Sequence, residues 1–147
     1  MANSDSIPTT IPAIGARTDS QSTGKPIESI GLINIEGLKT SSYSSVPYVR
    51  DILEENNMLL GMLTETWLRE HLDAEVCIDG YSIFRTDRDR KKKRRGRNSG
   101  GVAVYIRNDV STKTEIFFSF SSGVIECLCL RVPKLNLILI TKRQSKW

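Results

Sequence analysis

Leu59-Leu60-Gly61-Met62-Leu63-Thr64-Glu65-Thr66-Trp67-Leu68 is an apolar run that stops on a carboxylate, with an indole and a leucine behind it. Further back, Ile30-Gly31-Leu32-Ile33-Asn34 stops in the same way on a carboxamide. The run from Leu59 to Leu63 reads as a strand covered on both faces, and Ser29 to Ile35 as a first strand. Between them Val49, Ile52 and Leu53 share one face of a helical period, with Ser45 as its cap, Pro47 in its first turn and Asn56-Asn57 as its stop. Strand, helix and strand make a β-α-β unit, whose strands run parallel through a right-handed crossover. Their carboxyl ends then share one edge, and Asn34 and Glu65 meet there. A strand that ends on one acceptor side chain is how an α/β domain presents a metal ligand at its mouth.

The rest of the chain reads outward from this unit. Residues 1–28 are rich in Ser, Thr, Pro and Gly and are expected to be a disordered leader. Residues 36–45 form a loop, and 67–72 a short helix or turn. Residues 82–85 make a short strand that enters a basic loop at 86–99. Gly100-Gly101 then opens Val102-Ala103-Val104-Tyr105-Ile106, a strong strand. Further strands are expected at 113–120, at 125–132, and at 135–141 after a Pro133-Lys134 turn. Tyr105, Phe117, Phe118 and Phe120 are read as sheet packing. The pattern predicts an α/β (α+β) domain over 29–141, a mixed sheet with one β-α-β unit followed by mainly antiparallel strands. Residues 142–147 are read as a divergent tail.

At 147 residues the chain fits one domain. Its net charge of +4 is unevenly spread. Between residues 85 and 97 nine Lys/Arg stand against two Asp, a local net of +7, so the remainder carries −3. Such local basicity points to contact with phosphate or an acidic surface. Three cysteines, an odd number, argue against a disulfide framework and for a reducing compartment, and a single histidine, His71, leaves no zinc spacing. Cys127 and Cys129, two apart in a strand, point the same way and cannot readily bridge each other. The polar start Met1-Ala2-Asn3-Ser4-Asp5-Ser6 has no signal-peptide core, and the apolar run 135–140 is far too short to span a bilayer, so no membrane role is expected.

A carboxylate is a hard oxygen ligand suited to magnesium, and one or two protein carboxylates suffice for that ion. A carboxamide beside it can hydrogen-bond a phosphate oxygen without adding negative charge. Glu65 as metal ligand and Asn34 as phosphate contact therefore suit metal-assisted phosphodiester cleavage. The plainer reading is structural: Asn34 starts a turn and Glu65 caps the next helix.

Four stretches, in order, resemble the endonuclease/exonuclease/phosphatase superfamily. They are Leu32-Ile33-Asn34-Ile35-Glu36-Gly37-Leu38, Gly61-Met62-Leu63-Thr64-Glu65-Thr66-Trp67-Leu68, Gly80-Tyr81-Ser82-Ile83-Phe84-Arg85-Thr86-Asp87-Arg88 and Gly100-Gly101-Val102-Ala103-Val104-Tyr105-Ile106. Within the superfamily the chain is similar, over residues 29–140, to the apurinic-type endonuclease domain of LINE-like (non-long-terminal-repeat) retrotransposons. The resemblance implies a four-layer α/β sandwich, two facing sheets with helices outside, and a Mg-dependent DNA endonuclease (phosphodiesterase) activity. It implies that Asn34 contacts the scissile phosphate, that Glu65 ligates the metal, and that Glu126 is an acidic catalytic position near it. It implies no small-molecule cofactor. The family continues into a later Asp/Asn pair and a final Asp-His pair that have no counterpart here. The sandwich is therefore expected to be incomplete and the chain alone a poor or inactive nuclease, lacking general-base activation of water. His71, in Arg69-Glu70-His71-Leu72, reads as a partly exposed helix residue and not as that histidine.

Arg90-Lys91-Lys92-Lys93-Arg94-Arg95-Gly96-Arg97 reads both as a nuclear import signal and as a DNA-backbone contact. Arg85 and Arg88 join Arg90, Lys91, Lys92, Lys93, Arg94 and Arg95 in the expected nucleic-acid-binding set. A solvated loop is the plainer reading of the run, and an Arg–Asp pair that stabilises the loop is the plainer reading of Arg85-Thr86-Asp87-Arg88. No aromatic residue interleaves the run, so base stacking there is not supported. The import reading places the protein in the nucleus, with the cytoplasm as the alternative. Two rival functions stay open. One is a non-catalytic basic module that binds nucleic acid through 88–97; the other is a superfamily member acting on a phosphoinositide or another small phosphodiester.

Overall fold

Ile30, Gly31, Leu32, Ile33 and Asn34 pair in parallel with Leu60, Gly61, Met62, Leu63 and Thr64. In the computed structural model, which describes residues 28–69, 71–88 and 99–144, these belong to strands β1 (Ser29–Asn34) and β2 (Met58–Thr64), joined by helix α1 (Val46–Glu55). The β-α-β unit expected from the two apolar runs is present. It is followed by β3 (Tyr81–Thr86), β4 (Val102–Arg107), the one-turn helix α2 (Asn108–Ser111), and a meander of β5 (Glu115–Ser121), β6 (Ile125–Val132) and β7 (Leu137–Gln144). The strands form a mixed sheet of order β1-β2-β4-β3 and an antiparallel sheet of order β5-β6-β7. The fold is α+β, with two sheets and few helices. Among the described residues no helix is long and apolar enough to cross a membrane.

Each face of the first sheet has its own core. On the outer face, Val49 and Leu53 of α1 pack with Leu63, Ala103 and Tyr105. Gly61 permits that approach, since a Cβ there would lie 2.4 Å from Leu53 Cδ2. On the inner face, Val104 and Ile106 meet Leu128, Leu130 and Val132 of the second sheet. Alternation along β4 sorts its residues between the two cores. A strand buried on both faces has no polar side to show, which is why β2 and β4 are unbroken apolar runs.

Several local expectations are corrected. Among the described residues of 67–72 no helix forms, and of the two alternatives only a bend at Arg69 is present. Trp67 takes a left-handed conformation (φ 56°), which breaks a helical path, and a 3-10 helix follows at Asp73–Val76. His71 is therefore not a helix residue. Ser45 precedes α1 but makes no capping bond through its side chain, because its backbone (φ −92°, ψ 2°) is not the extended form a capping serine adopts. The Ser44 hydroxyl accepts the Val46 N–H instead, at 3.3 Å. β7 runs on to Gln144, with Lys142, Arg143 and Gln144 paired to Cys127, Glu126 and Ile125 of β6.

Tyr105 is fully buried and donates its hydroxyl to the Val76 carbonyl. Phe117, Phe118 and Phe120 do not pack as expected: they are 47%, 51% and 48% exposed. They belong to an edge strand, and among the described residues no helix covers the outer face of its sheet.

Leu130 is fully buried between the two sheets. Leu130→Ala should lower the unfolding free energy by about 2–5 kcal/mol, read as a lower urea midpoint at unchanged slope. A loss well below that range would mean that the sheets do not share a close-packed core.

Candidate functional site

β1 and β2 end together, with Asn34 beside Thr64. Val102 of β4 is the row partner of both Thr64 and Thr86. Val102 belongs to the inter-sheet core, so Asn34, Thr64 and Thr86 lie on the inner face. The second sheet answers with Glu126 and Thr141, which are 0% and 2% exposed. The interior of the sandwich is thus apolar at one end and polar at the other. Among the described residues the hydroxyls of Thr66, Thr86 and Thr141 are buried without a hydrogen-bond partner. Buried hydroxyls left in this way are costly unless water or a ligand reaches them.

Glu65 follows Thr64 in a left-handed conformation (φ 59°), two residues before the same conformation recurs at Trp67. Such geometry costs non-glycine residues of order 1–3 kcal/mol each and persists only where the surroundings impose it. The edge imposes it through backbone bonds. Gly37 N–H donates to Glu65 O at 2.8 Å, Thr66 N–H to Gly101 O at 3.3 Å, and Trp67 N–H to Gly100 O at 2.9 Å. Gly101 has φ 84°, and a Cβ there would lie 2.4 Å from Thr66 Oγ1, so only glycine lets β4 enter the sheet here.

The Glu65 carboxylate is aimed by two donors on its Oε2, Gly100 N–H at 2.8 Å and Trp67 Nε1–H at 3.1 Å. Among the described residues Glu65 caps no helix, since the next one, Asp73–Val76, has Leu72 at its N-cap. Asn34 is exposed, and Thr64 Oγ1 donates to its Oδ1 at a long 3.5 Å. Asn34 and Glu65 therefore share one edge.

Glu126 lies on the inner face of β6, with its Oε1 3.7 Å from Arg88 Nε. Arg88 also donates to Ser99 Oγ and to the Gly123 carbonyl. Arg85 pairs with Asp73 at 3.1 Å and with Asp87 at 3.6 Å, and donates to the His71 carbonyl. Both guanidinium groups, expected at a DNA contact, are engaged with partners inside the fold. Burial pushes the Asp87 carboxyl above the usual carboxylate range, against the opposing pull of Arg85. Arg90, Lys91, Lys92, Lys93, Arg94 and Arg95 lie outside the described residues. The residues that flank their run are described, and they stand at this edge: Arg88 at Glu126, Gly100 at Glu65.

A feature not read from the sequence is a pocket of about 170 Å³ lined by Lys39, Thr40, Ser41, Trp67, Arg69 and His71. Trp67 joins it to Glu65. Its residues come from two loops, and only the pairing of β1 with β2 brings those loops together. Among the described residues no three His, Cys, Asp or Glu side chains converge as a metal site. Glu65 is one oriented carboxylate, which meets the lower limit for magnesium, an ion that otherwise relies on water and substrate phosphate.

No protein-family model matches the chain. No curated protein matches it in sequence. Among solved structures it is similar to a mannosyl-6-phosphatase of Bacteroides thetaiotaomicron, with 12% identity and a TM-score of 0.43 over 76% of this chain and 48% of that one. The chain thus spans about half the length of that structure.

Arg88→Ala should destabilise the fold by about 3–5 kcal/mol, the cost of withdrawing the charged partner from a buried carboxylate. Adding Glu126→Gln should restore part of that loss in a double-mutant cycle followed by chemical denaturation. Strictly additive effects would show that the two groups are uncoupled.

Proposed function

We propose that this chain belongs with the endonuclease/exonuclease/phosphatase superfamily and forms the metal- and phosphate-holding part of a DNA endonuclease domain of the kind carried by LINE-like retrotransposons. The observation that carries this reading is the common carboxyl edge of β1 and β2, where Asn34 and an oriented Glu65 border the polar end of the sandwich. Glu65 would hold magnesium, and Asn34 would donate from Nδ2 to a phosphate oxygen. Magnesium, when bound, supplies charge neutralisation at the phosphate.

The basic run favours a polyanion over a small phosphodiester, because both of its flanks are fastened beside Glu65 and Glu126. The Lys39, Arg69 and His71 pocket offers a second basic contact on the other side of Trp67. His71, the chain's one histidine, lines that pocket and not the inner edge, so it is not placed to activate a water there. DNA binding strengthened by magnesium, with slow cleavage or none, is the expected behaviour. The basic run also serves this reading as a nuclear import signal.

Magnesium should tighten binding to a short DNA duplex, and Glu65→Ala should remove that tightening, a loss of at least about tenfold, or about 1.4 kcal/mol. Any Mg-dependent nicking of supercoiled plasmid should fall with it. An undiminished magnesium response would take Glu65 out of the site.

Replacing all six cations from Arg90 to Arg95 by Ser should weaken DNA binding across sequences. It should also flatten the dependence of log affinity on log salt by about 0.9 for each phosphate that the protein no longer neutralises. If binding survives the Glu65 change in full but not this one, the chain is a non-catalytic binding module.

A further inference from the structure

Cys127 and Cys129 stand two apart on β6, on the face of the second sheet that points away from the first. Alternation puts both thiols on the same side. Their sulfurs lie 3.7 Å apart, and both cysteines are free. Cys129 is 6% exposed and Cys127 is partly exposed. Across the β5 ladder their register partners are Phe118 and Phe120, both half exposed. The dithiol therefore sits low on an open apolar surface.

A disulfide here is disfavoured by the backbone. Residues two apart on a strand have Cα atoms about 6.6–6.8 Å apart, at the far limit of what a disulfide spans. A metal bridge is not. A tetrahedral d10 ion such as zinc binds thiolate at about 2.3 Å, which sets two adjacent sulfurs about 3.8 Å apart. The observed 3.7 Å separation matches that bite without rearrangement of the strand.

We propose that Cys127 and Cys129 form a two-thiolate site for one thiophilic d10 cation, zinc or cadmium, on the outer face of the second sheet. Binding breaks two S–H bonds, forms two metal–sulfur bonds and releases two protons to solvent. No electrons are exchanged. Water or another donor from solution fills the remaining positions, since among the described residues no third His, Cys, Asp or Glu joins the pair. Burial, with the Cys127 thiol beside it, pushes the Cys129 thiol up, so binding strengthens as pH rises. Among the described residues the charged groups on the same face are Lys142 of β7, opposite Cys127, and the Arg131–Glu115 pair further along β6 and β5.

The test is a titration of the reduced full-length chain with cadmium, read by the ultraviolet thiolate-to-cadmium band and by proton release in weak buffer. The band should saturate at one ion per chain, with two protons released for each ion bound. Cys127→Ser and Cys129→Ser should each abolish it, while Cys77→Ser and Glu65→Ala leave it unchanged. Circular dichroism checks the fold of each variant. Should Cys129→Ser unfold, the partly exposed Cys127 still decides the matter. Absence of the band in the folded wild type, or its persistence in Cys127→Ser, would overturn the proposal.

Discussion

The parallel register of β1 against β2 is the constraint on which the rest depends. Side chains alternate with a period of two, so a slip of one residue would turn Asn34 from the inner face towards α1 and take it out of the mouth. The register is held from both sides of the sheet. On one side Leu53 of α1 seats against Gly61, where a side chain would collide. On the other, the inner faces of β2 and β4 lie against β6. The strained turn at Glu65 exists only inside this frame, because its backbone bonds come from Gly37 and from the approach to β4.

The two ends of the inter-sheet layer play different energetic parts. Leu130 and Val132 bury apolar surface with nothing left to satisfy. At the mouth, Glu126 is buried against Arg88, and among the described residues the buried threonine hydroxyls have no protein partner. A carboxylate in that position is weak evidence of stabilisation, because desolvation can match what the ion pair returns. The apolar end has to offset it. That division, with strain and polarity gathered at one edge of a well-packed scaffold, is where an α/β domain accommodates a ligand.

The parts of the molecule legible in the sequence are those whose cause is local. β2 and β4 could be read because double burial erases polar residues from them, and α1 because Val49 and Leu53 carry its period. Glu65 could be located because an apolar strand stops on it. What escaped was non-local. Residues 67–72 read as a short helix or turn, but the left-handed Trp67 answers to Gly100, more than thirty positions away. Phe117, Phe118 and Phe120 have the composition of a packed strand, and composition does not say what lies over it. The pairing of Arg85 with Asp87 was within reach of the sequence, whereas the contacts of Arg85 with Asp73 and of Arg88 with Gly123 and Glu126 join distant parts of the chain.

The hydrogen bond from Arg88 to Ser99 joins the two stems of the basic run directly beside Glu126. For a flexible closed loop, doubling the length adds only about 0.6 kcal/mol of closure entropy. With the stems clasped, the number and spacing of cations between them can change at little thermodynamic expense while the carboxylate next door stays where it is. The clasp thus separates the geometry of the acidic edge from the length and charge of the chain that runs between the stems.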